Sequence, residues 1–119
     1  MNTKLSGAMG EAYTAEWLRK RRWKVLAMNY RCKFGELDLV AAKRKELVFV
    51  EVKLRKAGGV TRPADAVSRS KQEKLRAAAD LWLAQNPAYS ALRQSFAIAE
   101  LTVDERGEVQ TFSLMENAF

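Results

Sequence analysis

Three carboxylates and a lysine interrupt two apolar runs, Gly35-Glu36-Leu37-Asp38-Leu39-Val40 and Leu47-Val48-Phe49-Val50-Glu51-Val52-Lys53. Charges of this kind are costly inside apolar strands unless they are paired or hold a metal. Side chains alternate faces along a strand. Glu36, Asp38 and Val40 therefore share one face of the first run, and Leu47, Phe49, Glu51 and Lys53 one face of the second. The connector Lys43-Arg44-Lys45-Glu46 lacks Gly, Asn and Asp, which disfavours a two-residue primed turn. A four-residue loop between Ala42 and Leu47 fits better. That register sets Asp38 opposite Glu51 and Glu36 opposite Lys53. It also gathers Leu37, Leu39, Ala41, Val48, Val50 and Val52 on the other face, and a one-residue slip would scatter both sets.

Two facing carboxylates repel unless a cation lies between them. Hard oxygen ligands suit Mg²⁺ or Mn²⁺, and a neighbouring lysine supplies a fixed charge for a phosphate or an attacking water. Metal-assisted phosphodiester hydrolysis uses these parts. The plainer alternative is an edge hairpin with solvated acids and a Glu36–Lys53 pair. Both faces of the hairpin are mostly apolar, which favours a central element covered on two sides with its charges in a pocket.

Composition narrows the chemistry. The chain has no histidine, so histidine acid–base catalysis, Ser-His triads and His-ligated metals are excluded. Cys32 is alone, which leaves no internal disulfide and no cysteine zinc site. Catalysis would rest on carboxylates, lysine and metal. The net charge of +7 is unevenly spread. Residues 1–76 hold 19 Lys/Arg and 8 Asp/Glu, and residues 77–119 hold 2 and 6. A basic bulk around an acidic cluster suits a polyanion. The 119 residues are read as one domain over 1–119. No apolar run spans a membrane and the first residues lack a signal-peptide core, so a cytoplasmic protein with no membrane partner is expected.

The remaining elements must position this cluster. Residues 4–21 read as a helix with Ala8, Glu11, Ala15 and Leu18 on its apolar face and Leu5 and Ala12 beside them. Gly7 and Gly10 weaken it and would permit close approach to the sheet. Glu11 either pairs at the helix margin with Lys4 or an arginine, or joins a site. Trp23–Tyr30 reads as a strand. The run Lys20-Arg21-Arg22-Trp23-Lys24 is either a solvated helix end or a phosphate contact, and Trp17, Trp23 and Trp82 are core or rim aromatics. Arg55-Lys56-Ala57-Gly58-Gly59-Val60-Thr61-Arg62-Pro63 is a basic loop, either a connector or a flap over a nucleic-acid backbone. Ser70-Lys71-Gln72-Glu73 has capping-box spacing. The helix after it runs to about Gln85 and buries Leu75, Ala78, Ala79 and Trp82, while Lys71, Gln72 and Lys74 in its first turn suit phosphate. Phe96–Val103 and Glu108–Leu114 read as strands joined by Asp104-Glu105-Arg106-Gly107. The order implies a three-layer α/β fold, a mixed central sheet flanked by helices.

Asp38, with Glu51-Val52-Lys53 thirteen residues on, resembles the PD-(D/E)XK signature of restriction-endonuclease-like nucleases. The chain resembles more closely the YraN family of small bacterial proteins, itself similar to archaeal Holliday-junction resolvases. The likeness includes Gly7-Ala8-Met9-Gly10-Glu11, Ala15, Leu18, Asn29-Tyr30-Arg31, Ala66-Val67 and Lys71-Gln72, around the central hairpin. It implies a restriction-endonuclease-like fold in which Asp38 and Glu51, with the Val52 carbonyl, bind Mg²⁺ or Mn²⁺. It also implies that Lys53 orients the attacking water or steadies the phosphate, and that Glu11 adds a carboxylate from the first helix. Glu36 is either a supporting group or the Lys53 partner. The expected function is a metal-dependent endonuclease acting on DNA, with branched or junction-like DNA as a candidate substrate and a homodimer by analogy. The alternative is a non-catalytic nucleic-acid-binding module. Arg31, Lys33, Arg55, Lys56, Arg62, Lys71, Gln72 and Lys74 form the expected nucleic-acid surface. One departure stands out: the family's Arg-Phe-Asp in the strand after the second helix is Ser95-Phe96-Ala97 here.

Overall fold

The computed structural model describes residues 7–58 and 67–119. Helix α1 (Gly7–Lys20) is followed by strands β1 (Lys24–Cys32), β2 (Gly35–Lys43) and β3 (Glu46–Lys56), helix α2 (Arg69–Gln85), a short 3₁₀ turn (Pro87–Tyr89), and strands β4 (Arg93–Val103) and β5 (Val109–Met115). The five strands lie in sequence order in one sheet. All neighbours are antiparallel except β3 and β4, which α2 joins as a parallel pair. Among the described residues no helix is long and apolar enough to cross a membrane.

Each face of the sheet carries its own core. On one side Ala15 and Leu18 of α1 meet Leu39, Ala41, Val48, Val50, Ala97 and Ala99. On the other, Leu75, Ala78, Ala79 and Trp82 of α2 meet Val40, Leu47, Phe49, Phe96 and Ile98. These four α2 residues are the ones its 3.6-residue period selects. The small α1 face lets that helix sit close: a Cβ on Gly10 would lie 3.4 Å from Val52 Cγ1. The observed face is Gly10, Glu11, Thr14, Ala15 and Leu18, while Ala8 and Ala12 are exposed. Thr14 is tolerated there because its hydroxyl donates to the Gly10 carbonyl at 2.8 Å. The helix closes with Arg22 at φ +68° and the Trp23 amide returning to the Leu18 carbonyl, a Schellman-type end.

Four sequence expectations change. The hairpin β2–β3 turns on two residues, since Lys43 pairs with Glu46 and Arg44 takes φ +57°. The long apolar ladder offsets the cost of a left-handed arginine, about 1–2 kcal/mol. Leu37 leaves the face of Leu39 and joins the α2-side core with Val40. Arg55 and Lys56 belong to β3, not to a loop, because β4 supplies pairing partners as far as Lys56↔Val103. Arg62 and Pro63 lie outside the described residues, as do Lys4, Leu5 and Ala66. Finally, α2 is capped by Ser68, whose hydroxyl accepts from the Lys71 amide, rather than from within Ser70-Lys71-Gln72-Glu73.

Ser95-Phe96-Ala97 lies in β4 beside Val48-Phe49-Val50. Phe96 stacks on Phe49 at 5.3 Å and on Phe119 at 4.9 Å, and Trp82 meets Phe49 edge-on at 6.1 Å. The stretch thus serves packing. Phe49 joins β3, β4 and α2, so Phe49→Ala should cost about 3–5 kcal/mol in urea unfolding. A loss below about 1 kcal/mol would show that this aromatic cluster is not the mainstay of the α2-side core.

Candidate functional site

The β2–β3 ladder runs from Lys43↔Glu46 to Leu39↔Val50 and ends one step short of Asp38 and Glu51. Here the strands part. The Val52 amide donates to Asp38 Oδ2 at 2.8 Å, so a carboxylate satisfies a main-chain donor of the central strand. On the other side of β2, the β1 ladder passes from Met28↔Leu39 to Tyr30↔Leu37. Between them stands Asn29, at φ +55°. Asn is among the side-chain-bearing residues that enter this region most readily. Leu37 and Leu39 join opposite cores, so the alternation of β2 breaks between them and Asp38 is left at the fork.

Glu11 reaches the same place from α1. It and Glu51 are both only 7% exposed. Asp38 and Asn29 lie within hydrogen-bonding reach of the Glu11 carboxyl, yet Glu11 Oε1 has no partner among the described residues. Burial, followed by the charges of Glu51 and Glu11, outweighs the Val52 amide and pushes Asp38 up to about 7. Burial likewise raises Glu11, against the lowering effect of Asp38 and Asn29. Burial, with the crowded negative charge beside it, thus favours the neutral form of both carboxyls, and the two titrate as a coupled pair.

Cations meet this cluster from two elements. Lys71 Nζ, from the first turn of α2, lies 2.7 Å from Glu51 Oε2. Lys53 Nζ lies 3.9 Å from the same oxygen. The hydrogen bond to Glu51 raises Lys71 above its ordinary value. A cavity of about 370 Å³ opens over these groups, lined among others by Glu36, Asp38, Glu51, Ser68, Lys71 and Lys74.

The sequence-predicted residues thus divide. Glu11, Asp38, Glu51, Lys53 and Lys71 are brought together, and Lys74 lines the cavity with Asp38, Glu51 and Lys71. Glu36 lines it too but pairs with Arg31 across β1 at 2.7 Å, not with Lys53, because β2 has already left β3. Lys33 is exposed beyond it at the β1–β2 turn, over the Phe34 ring. Arg55 is tied to Glu100 at 3.0 Å. The Gln72 amide donates to the Val67 carbonyl and secures the start of α2. Lys56 is exposed at the end of β3. Asn29 had no role assigned from sequence. The only local signal was an asparagine in a strand, where its propensity is low.

Among the described residues no three acidic or sulfur side chains are drawn together closely enough to cage a metal. Mg²⁺ does not require such a cage, since it commonly takes one or two carboxylates and completes its shell with water and substrate phosphate. The donors here are oxygen only. Glu11 Oε1 is buried without a partner among the described residues, so the residues present fit a hard divalent cation.

A raised carboxyl stabilises the fold fully below its unfolded value of 3.8 and loses that contribution as pH rises through about 7. Metal-free protein should therefore lose stability between about pH 4 and 7. Asp38→Asn keeps an acceptor for Val52 and has no proton to lose. It should exceed the wild type by on the order of 1–3 kcal/mol at pH 8, after allowance for partial solvent screening. Urea unfolding in chelator at pH 5 and pH 8 checks this, and a variant no more stable than wild type at pH 8 would contradict it.

The sequence profile described as "Uncharacterised protein family UPF0102" matches residues 10–104. A UPF0102 protein of Dictyoglomus thermophilum is 34% identical over 120 residues, covering 100% of both chains. One of Caldicellulosiruptor saccharolyticus is 33% identical over 119 residues with the same coverage. One of Nocardia farcinica is 44% identical over 79 residues, which span 66% of this chain and 62% of that one. The matched region runs from Gly10 through β4 and takes in every residue of the cluster.

Proposed function

The chain belongs to the uncharacterised protein family UPF0102, and we propose that this protein is a metal-dependent endonuclease that hydrolyses phosphodiester bonds in DNA. The observation that carries this is the meeting of Asp38, Glu51 and Lys71 on one open cavity, with Glu11 beside Asp38 and Lys53 beside Glu51, in a molecule of net charge +7. Asp38, Glu51 and the Val52 carbonyl would hold Mg²⁺ or Mn²⁺, which when bound activates water and offsets charge on the phosphate. Lys53 orients the attacking water or steadies the negative phosphate oxygens. Glu11 adds a carboxylate from α1 beside Asp38. Lys71 and Lys74 stand at the N-terminus of α2, where main-chain amides and the helix dipole favour a phosphate. Lys33 and Lys56, both exposed, would add positive charge along the nucleic acid, while Arg31 is paired with Glu36.

Branched DNA is the substrate form we favour, after the likeness to junction resolvases, with a homodimer presenting two sites to two strands and the cytoplasm as the compartment. A second reading, a non-catalytic nucleic-acid-binding module, draws on two observations: Glu51 is already engaged by Lys71, and no three-acid cage is present among the described residues.

Cleavage of a four-way junction against a duplex of equal length, with Mg²⁺ or Mn²⁺, separates the two. The nuclease reading expects cutting that Glu51→Ala abolishes and Lys53→Ala lowers at least about 100-fold. Salt-dependent binding that persists in chelator, with no product from any DNA, would select the binding module instead.

A further inference from the structure

Lys71 does more at this site than a phosphate-facing lysine requires. Its ammonium is in direct contact with Glu51 Oε2 at 2.7 Å, whereas Lys53 stands off at 3.9 Å. Glu51 is nearly buried, while the Lys71 side chain is about half exposed. The lysine therefore has room to move and the carboxylate does not. Its backbone is fixed, because the Ser68 hydroxyl accepts from the Lys71 amide and caps α2. Lys71 thus reaches from a rigid helix start across the cavity to the carboxylate that the nuclease reading assigns to the metal.

We infer that Lys71 is a built-in counter-cation: it occupies the charge position at Glu51 when no metal is bound, competes with the divalent ion for that carboxylate, and once displaced offers its ammonium to the substrate phosphate. This rests on the metal-site reading given above. An ammonium and a divalent cation sharing one carboxylate repel each other strongly at contact distances. The exposed lysine is the group that yields. The cavity it enters is lined by Lys74, Ser68 and Ser70 at the α2 N-terminus, a setting suited to a phosphate. The lysine would then couple loading of the metal to binding of the polyanion. A purely structural ion pair predicts no such coupling.

The two halves predict effects of opposite sign. Mn²⁺ titrated calorimetrically into DNA-free protein should bind Lys71→Met on the order of fivefold more tightly than wild type, and Lys71→Arg about as wild type. Binding of a DNA duplex in Ca²⁺ should weaken in Lys71→Met, with the log–log salt slope reduced by about one. Lys71→Gln replaces Lys71→Met if thermal melting shows the latter unfolded. Mn²⁺ affinity that is unchanged or weaker in the neutral variants overturns the competition. Unchanged DNA affinity and salt slope overturn the transfer to phosphate. Asp38→Asn separates this from the underlying reading. If wild type binds no Mn²⁺, or Asp38→Asn binds it equally well, the metal site itself falls and the inference with it. If Asp38→Asn abolishes binding while Lys71→Met has no effect, only the inference falls.

Discussion

The hydrogen bond from the Val52 amide to Asp38 Oδ2 is the constraint on which the rest of the site depends. It occurs where β2 stops pairing with β3, and it replaces a main-chain acceptor with a carboxylate. A buried amide needs a partner, so Asp38 cannot leave without exposing an unsatisfied donor in the central strand. The same bond draws negative charge into a half-buried position beside Glu11 and Glu51. Burial there, with the neighbouring charges adding to it, raises Asp38 to about 7, a consequence of how the sheet forks.

The fork sits where several elements converge. Glu11 comes from the first half of α1, and Gly10 one residue earlier lets that helix approach Val52. Lys71 comes from the start of α2, just beyond its Ser68 cap. Glu51 and Lys53 lie on β3, which runs parallel to β4. The two apolar cores, one on each face, fix these elements, and the site forms where the cores end. Polar groups are therefore assembled by packing that involves none of them, which lets the cluster tolerate an orphaned carboxylate oxygen.

The basic half of the chain serves two purposes that charge counting alone merges. Lys71 neutralises the cluster, and Arg31 and Arg55 are tied to Glu36 and Glu100. Lys33, Lys56 and Lys74 are exposed, and of these Lys74 lines the cavity. A positive excess measured over the sequence thus overstates the surface presented to a polyanion, since part of it balances acids locally.

Much of this was legible in the sequence, because periodicity records burial. The alternation of β3 and the 3.6-residue spacing of Leu75, Ala78, Ala79 and Trp82 report which faces meet a core. The lack of histidine limits the chemistry without reference to structure. The hairpin register was readable as far as Leu39↔Val50, because both faces are buried and a slip would be costly. Beyond it the reading failed for a physical reason. A break in alternation at Asn29 and Asp38 depends on backbone angles and on which donor each carboxylate captures, and no local pattern encodes either. Glu36 was matched with Lys53 on a ladder that no longer exists there, while its partner, Arg31, lies on β1. Sequence by itself determined the layers, the strand and helix faces, and the residue types available for chemistry. Only the tertiary structure decided that α2 would place Lys71 on Glu51 and that Asn29 would stand beside Glu11, since those contacts join residues far apart in the chain through two separate cores.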